Sequence, residues 1–122
     1  MPNRTAIISM FSVAVLLPGC DRPETGGDPE RGEMAIRAFG CGACHEIAGI
    51  RGASGRVGPP LLAVRRQAYV AGLMPNTREN LAAWLQNPPA IAPDTAMPDL
   101  GITPVQARDI AAYLYTLRGS SL

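Results

Sequence analysis

The feature that most restricts how this chain can fold is the pentapeptide Cys41-Gly42-Ala43-Cys44-His45. Two cysteines three positions apart lie on one face of a helical turn, and a histidine follows at once. A thiol redox pair would sit beside a βαβ pattern, and no strand-like alternation accompanies this run. A structural zinc site takes four protein ligands. Outside the pentapeptide the chain offers one more thiol, Cys20, and no second histidine.

The reading that uses all three side chains is covalent attachment of a c-type haem. Cys41 and Cys44 add across two vinyl groups of the porphyrin, and His45 turns its imidazole onto the iron. Composition agrees with a large flat cofactor. Aromatic residues make up only 5% of the chain, and buried haem faces would supply the missing apolar surface. Thirteen glycines and twelve prolines favour short helices and many loops over long regular elements. A formal net charge of +1 gives no reason to expect a nucleic-acid partner. Every basic residue is an arginine; lysine is absent.

Residues 1–19 read as an export signal. Arg4 precedes an apolar stretch, Ala6 to Leu17, that Pro18 interrupts. It is short of the roughly 20 residues needed to span a bilayer as a helix and suits the apolar core of a signal peptide. Leu17-Pro18-Gly19-Cys20 resembles the lipobox of bacterial lipoproteins, with proline at −2 as a departure. That resemblance implies a lipid on Cys20, which becomes the mature N-terminus, and Asp21 occupies the place associated with retention at the inner membrane. An ordinary cleaved signal, giving a soluble periplasmic protein, is the alternative. Residues 20–27 then form a short polar tether, residues 28–119 the folded domain, and 120–122 a tail. Removing the leader also removes Arg4 and leaves ten arginines against ten carboxylates.

Within the domain, Asp28 can cap a helix with Pro29 at its first position and Glu30 near the positive end of its dipole. Gly32, Ala35, Ile36 and Phe39 make one apolar stripe, and Gly40 ends it. Glu46 to Gly58 is a glycine-rich loop, and Leu62 to Leu73 reads as a short helix and a connection. Thr77 caps a helix over Arg78 to Gln86, with an apolar face of Leu81, Trp84 and Leu85, stopped by Asn87-Pro88-Pro89. Thr103-Pro104-Val105-Gln106 is a capping box. Ile110, Tyr113, Leu114 and Leu117 form the stripe of the last helix, which Gly119 ends. Between these helices lies Pro93-Asp94-Thr95-Ala96-Met97-Pro98-Asp99-Leu100. A thioether on such a proline-stiffened loop can approach the iron from the side opposite His45. Met74, before a Pro-Asn turn, is the other methionine in reach of that role.

The order helix, Cys-x-x-Cys-His, Gly58-Pro59-Pro60-Leu61, Met97-Pro98 and a terminal Ala-Tyr-Leu helix resembles a class I cytochrome c. The resemblance covers essentially the whole domain. It implies an all-α fold, with short helices and loops wrapped around one covalently bound haem c. It also implies that the carbonyl of Pro59 receives the Nδ1 proton of His45, and that Met97 is the sixth ligand. Trp84 would lie in the haem pocket, an arginine such as Arg66 would face the propionates, and the first and last helices would cross, with Gly32 and Ile36 against Ile110 and Tyr113. The run Pro75-Asn76-Thr77-Arg78-Glu79-Asn80-Leu81, with Trp84-Leu85, Pro93 and Met97 to Gly101, is similar to the cytochrome c domain fused to subunit II of some bacterial haem–copper oxidases. It implies single-electron transfer in a respiratory chain at the periplasmic face of the inner membrane. Implied partners are membrane-bound, a haem–copper oxidase or a quinol-oxidising complex. Two alternatives stay open: a fixed relay subunit of a larger complex, and a haem peroxidase or gas sensor with a labile sixth ligand.

Overall fold

Each helix of the domain starts where a side chain can close its first turn. The carboxylate of Asp28 accepts from the N–H groups of Glu30 and Arg31 at 2.8 and 3.3 Å, and opens α1 (Pro29–Ala38). Thr77 Oγ1 accepts from Asn80 N–H at 3.1 Å and opens α2 (Arg78–Gln86). Asn87 Oδ1 accepts from Ala90 N–H at 3.1 Å and opens the single turn α3 (Pro88–Ile91). Thr103 and Gln106 cap each other's backbone reciprocally at the start of α4 (Pro104–Leu114). Such caps satisfy backbone donors that a helix leaves unpaired and contribute about 1 kcal/mol each.

These elements come from a computed structural model, which describes residues 26–119. The expected signal, Cys20, most of the tether and the tail at 120–122 lie outside the described residues. Besides the four helices there are two 3-10 turns, Cys41–Ala43 and Val64–Arg66, and a small antiparallel hairpin of β1 (Tyr69–Val70) and β2 (Met74–Pro75). Among the described residues no helix is long and apolar enough to cross a membrane.

The frame is the crossing of α1 and α4. Ile36, Ala107 and Ile110 are almost wholly buried there. Gly32 makes the crossing possible: an added Cβ would overlap the Asp109 carbonyl and sit 3.0 Å from Tyr113 Cβ. Glycine costs helix stability locally; here close approach of two backbones offsets it. The neighbour of Gly32 is thus Asp109 together with Tyr113. Asp109 itself is 4% exposed. Its carboxylate accepts from Asp28 N–H at 2.7 Å and from Arg31 Nε and Nη2 at 2.8 and 3.1 Å. Burial pushes this carboxyl up, but the bonds from Arg31 and Asp28, with the charges of Arg31 and Arg108, outweigh it and hold it below its ordinary value. α2 packs on α4 through Leu81, Ala82 and Leu85.

Three local expectations need correction. The stretch Leu62 to Leu73 holds a 3-10 turn and a strand instead of a short helix; Ala71 and Gly72 take positive φ of 51° and 71° in the tip of the hairpin. Asn87-Pro88-Pro89 stops α2 but also starts α3, because proline suits a first helical turn. α4 ends at Leu114, so Leu117 lies beyond the helix. The chain turns there because the Tyr115 hydroxyl donates to the Asn76 carbonyl at 2.9 Å and the Leu117 carbonyl accepts from Arg65 N–H at 3.4 Å.

Candidate haem site

Gly40, in the left-handed conformation (φ 68°), ends α1 and turns the chain directly into the 3-10 turn that carries the motif. Cys41 and Cys44 are both free cysteines, the first half-buried and the second exposed. Burial pushes the Cys41 thiol up, and the neighbouring Cys44 adds to the rise against a backbone hydrogen bond. Burial thus acts on Cys41 in the direction opposite to the lowering found in redox-active thiols. Nor do the described residues gather three or more His, Cys, Asp or Glu side chains able to hold a bare metal ion.

The environment of His45 is built from backbone. Its Nδ1 lies 2.7 Å from the Pro59 carbonyl oxygen. A carbonyl only accepts, so Nδ1 carries the proton and Nε2 keeps its lone pair for a ligand. The ring lies against Gly58, where an added Cβ would come within 2.7 Å of Nδ1 and 2.9 Å of Nε2. Gly58 N–H in turn donates to the Cys44 carbonyl at 2.8 Å, Gly55 N–H to Gly42 at 3.1 Å, and Leu61 N–H to Glu46 at 2.7 Å. The loop from Glu46 to Leu61 is thereby folded back over the motif. Tyr113 of α4 pins it from outside, its hydroxyl donating to the Ala48 carbonyl at 2.8 Å. Burial and the Glu33 charge push the Tyr113 phenol up, against Arg37, so it remains a donor throughout the ordinary pH range.

Met97 is half-buried and packs against the core cluster, as do Trp84 and Met74. Its own N–H donates to Thr95 Oγ1 at 3.2 Å, and Gly101 N–H donates to Asp99 Oδ1 at 2.8 Å. Arg66 is exposed on the second 3-10 turn. The donor set fits a c-type haem: two unpaired thiols on one turn, an imidazole with Nε2 free, and two thioethers at the core's edge. Gly58 is marked in the sequence by the run Gly58-Pro59-Pro60-Leu61, but its contact with the His45 ring, like that of the Tyr113 hydroxyl with Ala48, emerges only in the fold.

A family model of cytochrome c matches residues 29–118. The chain belongs to the cytochrome c family. This cytochrome c therefore carries one covalently bound haem c and transfers electrons. Its fold is similar to that of cytochrome c2 from Rhodobacter sphaeroides, with a TM-score of 0.51 at 22% sequence identity, over 78% of this chain and 99% of that one. No curated protein matches the sequence.

Proposed function

We propose that this cytochrome c is an exported single-electron carrier of a respiratory chain, with His45 and Met97 as axial ligands of the iron. The haem supplies a one-electron couple when bound. The observation that carries the reading is the bond from His45 Nδ1 to Pro59. It fixes the tautomer and aims Nε2. Cys41 and Cys44 hold the cofactor through thioether bonds. Met97 presents a sulfur that takes no proton, so ligation does not compete with acid as a second imidazole would. A methionine–histidine pair raises the reduction potential, which suits the oxidising end of such a chain. Both axial positions are then taken by the protein, which favours electron transfer over peroxide or gas chemistry. Mass spectrometry tests attachment: native chain gains one haem, and Cys41→Ala with Cys44→Ala gains none. A double variant that still holds covalent haem would refute the assignment.

The same proposal places the protein at the periplasmic face of the inner membrane, anchored through a lipid on Cys20. Its partners are then membrane-bound, a haem–copper oxidase or a quinol-oxidising complex. Tethering raises the effective concentration of such partners, so turnover of the membrane-held protein should lose less rate with salt than that of a form released from the membrane. Cys20→Ser should release the protein from washed membranes; retention would show that another segment, or a partner, holds it.

A further inference from the structure

Charge is divided unevenly between the segments carrying the two proposed ligands. On the histidine side, the loop folded over the motif carries Arg51 and Arg56, and the following turn carries Arg65 and Arg66. All four are exposed and in no ion pair among the described residues. On the methionine side there is no basic residue at all between Arg78 and Arg108. The loop from Pro93 to Gly101 carries Asp94 and Asp99, both exposed, and neither is in an ion pair among the described residues. Between and beside them lie exposed Pro93, Ala96, Pro98 and Leu100, the last 38% exposed.

We infer that the Pro93–Gly101 loop is the docking surface for a redox protein whose contact face is apolar with a basic rim. The inference rests on Met97 being the sixth ligand, which puts the outer face of this loop one side chain from the iron. Interfaces pair apolar area with flanking charge, and this loop exposes both, Ala96 and Pro98 between Asp94 and Asp99, and Pro93 and Leu100 beside them. Complementary charge steers encounter and fixes orientation. A partner with an acidic face would be repelled here and drawn to the arginine-bearing side. Transfer at this surface moves one electron from the reduced cytochrome to its acceptor, with no proton or atom exchanged.

Redox-inert paramagnetic ions test the surface on the haem-loaded protein without relying on turnover. Hexaamminechromium(III), a cation, should broaden the amide signals of Thr95 to Gly101, and hexacyanochromate(III), an anion, should broaden those around Arg51, Arg56 and Arg65. Kinetically, oxidation by tris-phenanthroline cobalt(III), which is reduced to cobalt(II), should slow several-fold as salt rises. The double variant Asp94→Asn, Asp99→Asn should lose both the cation's broadening and that salt slope. Asparagine preserves the acceptor that Gly101 N–H uses, so the loop's fold is retained. Cation broadening elsewhere, or an unchanged salt slope in the double variant, would overturn the docking surface while leaving the carrier intact. A haem spectrum without methionine ligation would instead overturn the ligand assignment on which it stands.

Discussion

The two loops that carry the proposed ligands are built in opposite ways. The histidine side is bolted to the rest of the domain. Pro59, Gly58, Gly55 and Leu61 tie it to the motif, and Tyr113 ties it to α4. The methionine side has only short local bonds among the described residues, from Thr95 N–H to the Ala92 carbonyl, from Met97 N–H to Thr95 Oγ1 and from Gly101 N–H to Asp99 Oδ1, with prolines stiffening what hydrogen bonds do not. A covalent motif needs a rigid platform, since three side chains must meet one porphyrin together. A lone thioether needs only reach and exclusion of water. The difference implies that a failure of ligation begins on the methionine side.

The strongest way to break this asymmetry is Gly58→Ala. Its Cβ would overlap the His45 ring, and overpacking of this kind costs about 3 kcal/mol. Thermal denaturation should show a loss of that size, with a disturbed histidine–iron signature; an unchanged melting temperature would show that the ring is free to move. Next in size is an acid effect on the frame behind both loops. Asp109 is held below its ordinary 3.8, so its contribution is fully present above that pH and is lost as pH falls through the lower folded value. Urea midpoints of the native protein should drop steeply below about pH 4. Those of Asp109→Asn should start lower and fall less; parallel curves would contradict the clamp.

Tyr113→Phe removes the outer bolt. It should cost about 1 kcal/mol in urea denaturation and leave the methionine band untouched. Thr95→Ala should do the reverse. Its stability change should stay within about 0.5 kcal/mol, while added imidazole displaces the methionine more readily from the oxidised protein. If Tyr113→Phe loosens the methionine and Thr95→Ala does not, the comparison fails.

Helix starts were readable because caps are local: Asp28, Thr77 and Thr103 each act within three residues of themselves. The motif and its neighbours Gly58 and Pro59 could also be picked out by pattern. What escaped was made by distant partners or by elements too short to show a period. A strand of two residues has no alternation to read, and Asn87 looks like a stop until Ala90 folds back on it. Asp109 lies outside the apolar stripe of its helix, and nothing within a turn of it in the sequence marks it as buried. Only the fold brings Asp28 and Arg31 to it across some 80 positions. Tyr113 reads as plain core, and its hydroxyl acquires a role only because Ala48 comes under it.

The central claim is that His45 and Met97 fill both axial positions. An optical spectrum of the oxidised and reduced protein, with carbon monoxide added to the reduced form, tests it most directly. The account predicts a low-spin spectrum, a weak thioether–iron band at the red end when oxidised, and no change with carbon monoxide. In Met97→Ala that band should vanish and carbon monoxide should bind stoichiometrically. A high-spin native spectrum, or one that carbon monoxide shifts readily, would contradict the account and point to an open haem; a band that survives in Met97→Ala would move the ligand to Met74.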